Sequence, residues 1–174
     1  MISERIKGYL EDHEMSYRIH RHPRAITAQE VAHAEGVTGW KVVKNVGCEV
    51  DGRPVICAIA APDLVDLDAL ADVFGAADVR LLEEEELADL FPGCELGAAP
   101  PLGGLFGLPV IFDRQLLGRE TLLMNAGNHE ELLEVRTTDY LEQETPRLAN
   151  IGVLPEEHWK HAIPADEYTQ QPYA

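Results

Sequence analysis

A chain of 174 residues, 45% hydrophobic and 26% charged, has the size and composition of one globular domain and lacks the bias of a disordered or fibrous chain. No run approaches the roughly 20 apolar residues that span a bilayer, and the charged opening MISERIKGYLEDHE does not read as a signal peptide, so a cytoplasmic protein is expected. The net charge of −17 argues against grasping an extended nucleic-acid duplex, which needs clustered Lys and Arg. Residues 1–53 nevertheless hold eight basic and eight acidic side chains, so the whole acidic excess follows them and the first third can present a locally positive face.

Ile2, Ile6, Tyr9 and Leu10 recur at helical spacing and predict an amphipathic helix over 2–14. Tyr17-Arg18-Ile19-His20 alternates as a short strand and ends at His22-Pro23. Thr27-x-x-Glu30 is a capping box that opens a second helix over about 27–36, stopped by Gly36. Val42–Val50 and Pro54–Ala61 are β-prone runs on either side of Asp51-Gly52-Arg53, a strong hairpin signal. Lys44 is expected on one side of this hairpin and the apolar run VICAIAA on the other. Leu67, Leu70, Ala71 and Phe74 give a helix closed by Gly75, Asp78–Leu82 a short strand, and Glu83–Leu90 an acidic helix with its glutamates at the favourable end of the helix dipole.

From Pro92 to Pro109 the chain carries five glycines and four prolines, which suits either flexible filler or a shaped loop. Strands resume at Val110–Phe112, Thr121–Asn125 and Leu132–Val135, and a helix is expected near Thr138–Gln143. Helices and strands mix without a regular βαβ beat. The expected fold is therefore α+β, a single domain with a mixed, largely antiparallel sheet flanked by helices, over residues 1–145. Residues 146–174 lack apolar periodicity and read as a C-terminal tail, packed on the domain or on a partner, or mobile.

Common active-site signatures are missing: no G-x-S-x-G elbow, Walker loop, H-E-x-x-H or Cys-x-x-Cys. Cys48, Cys57 and Cys94 are odd in number and widely spaced, as small thiols of a reducing compartment would be. Three features stand out by placement. Lys41 and Lys44, two of only four lysines, sit in the β-prone stretch WKVVKNVG and point to opposite faces of a strand. Such a lysine is either functional or a snorkelling strand residue. The others are the glycine–proline loop leading to Asp113 and the turn Asn125-Ala126-Gly127-Asn128-His129.

Four stretches in order carry a resemblance: His22 followed by ITAQEVA (26–32), GWKVVKNVGCEVDGRPV (39–55), LFPGCELGAAPPLGGLFGLPVIFD (90–113) and NAGNHEELLEV (125–135). Together they are similar to the YbaK/ProX family of aminoacyl-tRNA editing domains, also found inserted in bacterial prolyl-tRNA synthetases. The resemblance covers about residues 1–145. It places Lys44, not Lys41, at the family's functional lysine, and Gly97-Ala98-Ala99-Pro100-Pro101 at its G-x-x-x-P loop. Asn45 stands where a threonine is usual, which bears on substrate choice, and His129 falls at a recurrent Gly-x-His turn.

The implied activity is a trans-acting aminoacyl-tRNA deacylase that hydrolyses the ester of a tRNA mischarged with a small amino acid. Lys44 would be the catalytic residue. His22, Asn45, Gly97, Ala98, Ala99, Pro100, Pro101, Asp113, Gly127 and His129 would bind or orient substrate. An activated ester needs only water, a held carbonyl and donors for the oxyanion, so neither a cofactor nor a metal is expected. The implied partners are the 3′ end of mischarged tRNA and an aminoacyl-tRNA synthetase, with no membrane, for a monomer or homodimer. The alternative is a catalytically inactive module of this fold that binds an amino acid or a tRNA 3′ end.

Overall fold

The computed structural model describes residues 1–21 and 42–155. Helix α1 (Glu4–Asp12) starts at Ser3, whose hydroxyl accepts from the Ile6 N–H, a cap worth about 1 kcal/mol. Strand β1 (Tyr17–Arg21) follows it. The hairpin of β2 (Val42–Val50) and β3 (Arg53–Ala60) turns through Asp51 and Gly52, at φ of 46° and 82°. Both are left-handed, the pair of angles that matches the twist of adjoining strands. The capping box at 27–30 and the helix expected over 27–36 lie outside the described residues, as do His22 and Lys41.

Next come β4 (Leu64–Val65), α2 (Leu67–Phe74), β5 (Val79–Leu81) and α3 (Glu84–Leu90). Asp66 caps α2 through the Ala69 N–H, and Gly75 ends it in the left-handed region. In α3 the capping box of Glu83 and Glu86 is formed, and the exposed Arg80 forks between Glu49 and Glu86. The glycine–proline stretch contains one short helix, α4 (Gly103–Phe106). Strand β6 (Val110–Asp113), a 3-10 turn (Arg114–Gly118), β7 (Thr121–Asn125), β8 (Glu131–Arg136) and α5 (Thr137–Glu144) complete the expected series.

Eight strands, the last being β9 (Arg147–Ala149), form one mixed sheet in the order β1-β8-β7-β2-β3-β6-β9, with β5 on the far half of β2 and β4 outside it. Antiparallel pairing dominates in β1–β8, β7–β8, β2–β3 and β2–β5, while β2–β7, β3–β6 and β6–β9 are parallel. The architecture is the expected one: a single mixed sheet flanked by helices.

Two apolar layers cover the sheet. One packs Ile6, Leu10, Phe91, Leu102, Phe112, Leu122, Met124 and Tyr140 between the sheet and α1, α3 and α5; the other packs Val46, Cys48, Cys57, Ile59, Leu70, Ile111 and Ile151 under α2. At roughly 25 cal/mol per Å² of apolar surface removed from water, these layers are the main stabilising term. The run Val55–Ala61 is buried along its whole length and feeds both layers alternately. The expected division, with Lys44 on one side and this run on the other, therefore fails, because β3 is a central strand covered on both faces.

The first residues of the expected tail pack on the domain, one of the placements the sequence leaves open. Strand β9 (Arg147–Ala149) extends the sheet beside β6, and β10 (Gly152–Val153) pairs with β4. Ala149 and Ile151 belong to the second apolar layer. Strands of three and two residues are too short to show the period of two by which strands are recognised. Among the described residues no helix is long and apolar enough to cross a membrane.

Candidate active site

Neighbouring residues of a strand face opposite sides, so β2 sends Lys44 and Asn45 apart. Lys44 shares its face with its cross-strand partner Ile59, whereas Asn45 faces the layer that contains Ala58. Parallel pairing of Val43 with Met124 puts Asn125 beside Lys44 on the same face, one step further along. Lys44 is 3% exposed, and burial pulls its ammonium down from the usual lysine value to about 8, an effect opposed by the charge of Asp63.

The second component is the loop at Gly97–Pro101, held by its carbonyls. The Leu96 carbonyl takes a bond from His129 Nε2 at 2.7 Å, the Gly97 carbonyl from Asn125 Nδ2 at 3.4 Å, and the Ala98 carbonyl from the Gly127 N–H at 2.9 Å. The Pro100 carbonyl accepts from Asn45 Nδ2 at 3.4 Å and from the Leu102 N–H at 2.8 Å, and Pro101 accepts from the Tyr140 hydroxyl. A carbonyl partner assigns the proton of His129 to Nε2. With its carbonyls turned inward, the loop can present amides. Ala98 donates to Glu95, but among the described residues the N–H groups of Gly97 and Ala99 meet no acceptor. Two such donors on a rigid loop can receive a carbonyl oxygen as it gains charge.

The sequence-derived site residues therefore divide. Lys44 and the Gly97–Pro101 loop come together through Asn125, the row neighbour of the lysine and the anchor of the loop. Asn45, Gly127 and His129 support the loop's carbonyls. Asp113 lies elsewhere in the row and is wholly buried. It accepts from the N–H groups of Arg114, Gln115, Ile151 and Gly152, which tie the C-terminal strands to β6; burial still raises its carboxyl above the usual range. Its hydrogen bonds are those of a structural anchor.

Three residues escaped sequence reading in the roles they play. Asn125 and Tyr140 bear no motif of their own as loop anchors. Asp63, in the turn after β3, is 0% exposed, and among the described residues neither of its oxygens has a hydrogen-bond partner. Burial and the nearby Asp113 push its carboxyl up to about 6, while Lys44 pulls it down. The only sequence signal for Asp63 is an acidic residue following a long apolar strand. No group of three or more His, Cys, Asp or Glu side chains among the described residues is placed to hold a metal ion.

The site thus sets a buried lysine on the strand next to Asn125, which anchors the glycine–proline loop. Residues 22–142 match the model of the aminoacyl-tRNA editing domain, and the chain belongs to that family of editing hydrolases. A curated relative from Escherichia coli K12, the multifunctional Ser/Thr-tRNA deacylase ProXp-y, is 27% identical over 152 residues, 84% of this chain and 90% of the relative. A proline–tRNA ligase of Acidithiobacillus ferrooxidans is 30% identical over 98 residues, 56% of this chain but 17% of that enzyme. Among solved structures, a hypothetical protein superposes with a TM-score of 0.79 at 21% identity, covering 86% of this chain and 100% of its own. A candidate trans-editing enzyme for prolyl-tRNA synthetase gives 0.77 at 23% identity, with 88% and 99% covered. These two likenesses bear on the fold.

Proposed function

We propose that the protein acts in trans as a deacylase of tRNA mischarged with a small amino acid. The observation that carries this reading is the loop with its carbonyls fastened inward and the amides of Gly97 and Ala99 left, among the described residues, without acceptors. In this mechanism the ester carbonyl lies against those amides and water adds to its carbon. The oxygen that gains charge is held by the two N–H groups. The intermediate then expels the ribose oxygen, which leaves with a proton, while the amino acid departs as its acid. No protein nucleophile is required, because the ester is already activated. The Lys44 ammonium supplies positive charge at the site, and with a value of about 8 it is mostly charged at neutral pH.

Small acyl groups are favoured on two grounds. Ala98 is fully buried yet belongs to neither apolar layer, so its methyl is available to shape the acyl site. The E. coli relative is named for seryl- and threonyl-tRNA. His22, outside the described residues, remains an orienting residue of this proposal, and a synthetase or the free tRNA pool can deliver the substrate.

The test is a panel of tRNAs mischarged with alanine, serine, threonine and larger residues, incubated with wild type, Lys44→Ala and Lys41→Ala. Hydrolysis of small esters, lost by at least about 100-fold in Lys44→Ala and kept in Lys41→Ala, is expected. Failure of the wild type to hydrolyse any member would refute the reading. Equal rates with and without Lys44 would remove the lysine from the mechanism.

A further inference from the structure

We propose that Asp63 is a positioning residue for Lys44: its buried carboxylate, packed with that of Asp113 against the bare backbone of Gly152, is a countercharge that keeps the lysine charged inside the fold. The functional part of this inference rests on Lys44 being the lysine the deacylase uses.

The sheet register carries Lys44, Ile59 and Asp113 across adjacent strands on one face, and Asp63 joins Asp113 there in a carboxyl pair closed by the C-terminal strands. A Cβ at Gly152 would lie 2.5 Å from Asp113 Oδ2 and 2.8 Å from Asp63 Oδ2, so both carboxylates converge on one bare backbone position. Any side chain there would have to displace them, and the strand seals the pair from water only because residue 152 is glycine. The remaining neighbours contribute little charge. Asp66, next to α2, spends its carboxylate on the Ala69 N–H; Arg114, beside Asp113, is exposed; Ile151 and Gly152 are not ionisable. Among the described residues Asp113 and Lys44 act on Asp63, and Asp63 favours the charged form of Lys44.

The two carboxyls have different roles. Four backbone N–H groups favour the anion of Asp113. Asp63 has no such donors among the described residues; burial first and the charge of Asp113 second push its carboxyl up to about 6, while burial pulls Lys44 down to about 8. Between those values the pair carries opposite charges. An ionised group without a partner at full burial would neutralise instead.

Lysine labelled with 13C at Cε gives four signals, from Lys7, Lys41, Lys44 and Lys160, and the one missing in Lys44→Met is Lys44. In the wild type it is expected to titrate near pH 8. In Asp63→Asn it should titrate at least ~1 unit lower, and Asp63→Glu should restore most of the difference. Glu86→Gln, in the surface pair with Arg80, is the control and should leave it unmoved. If Asp63→Asn does not fold, the reciprocal measurement serves. The Asp63 carboxyl carbon should titrate at higher pH in Lys44→Met than in wild type. An unmoved lysine in Asp63→Asn, or an unmoved Asp63 in Lys44→Met, overturns the proposal. The alkaline limb of deacylation should shift with the lysine signal in Asp63→Asn. A coupled titration in a wild type that hydrolyses no mischarged tRNA would overturn the deacylase reading and the functional role while leaving the electrostatic coupling standing, so the two failures are distinguishable.

Discussion

The hydroxyl of Tyr140 donates to the carbonyl of Pro101, so a helix near the end of the described chain carries the far end of the loop that bears Gly97 and Ala99. The ring itself is fully buried and packs against Phe112, with centroids 5.4 Å apart. Tyr140→Phe keeps this packing and strands the carbonyl. A loss of about 1–2 kcal/mol in urea unfolding is expected. Deacylation should slow several-fold with an unchanged pH profile, because the donor positions the loop and does not titrate in the working range.

Asp63 gives a stability change of definite sign. Its carboxyl titrates near 3.8 when unfolded and near 6 when folded. Between those values the folded state keeps a proton that the unfolded chain releases, so the free energy of unfolding falls as pH rises through the window. Below the window the cost of burying the charge is absent; above it the cost is complete. At 1.36 kcal/mol per unit it amounts to at most about 3 kcal/mol. Subtracting the pH–stability curve of Asp63→Asn from that of wild type should isolate this fall between about pH 4 and 6. A flat difference would remove Asp63 from the pH dependence.

Truncation after Arg147 should destabilise the domain, since it removes the rest of β9, β10, the buried Ile151 and two donors to Asp113. The milder Ile151→Ala is expected to cost about 2–5 kcal/mol. Thermal unfolding of both variants checks the point, and unchanged melting temperatures would return these residues to the status of an appendage.

Ala98→Val adds two methyl groups at a buried position of the loop. If Ala98 shapes the acyl site, the rate ratio of threonyl to alanyl ester should fall by about 10-fold or more, the scale on which methylene-sized changes are discriminated. Equal losses for both esters would mean that the loop has been distorted rather than the acyl site narrowed.

Much of this was legible in the sequence because it is local. Asp51-Gly52 names its hairpin and Gly75 closes its helix, whereas the glycine–proline stretch reads equally well as flexible filler or as a shaped loop. The supports of that loop were illegible as supports: Asn45, Asn125, His129 and Tyr140 lie on separate elements and meet only when the sheet forms. Lys44 stood out by its setting, whereas its countercharge did not, because Pro62-Asp63 after a strand reads as an ordinary turn. Residues 147–153 passed for a tail because their apolar positions are too few to show a period.

The bonds to Leu96, Gly97, Ala98, Pro100 and Pro101 come from β2, β7, the turn after it and α5, as well as from the loop itself. The loop is thus a fixed rail on which the methyl group of Ala98, outside both apolar layers, is the exchangeable fitting, while that of Ala99 is part of the core. On the proposed function, an engineer or a lineage would retune which acyl group is accepted by changing that one fitting. The amides would stay where they are, because every fastening of the loop is made by a backbone carbonyl and none by the Ala98 side chain.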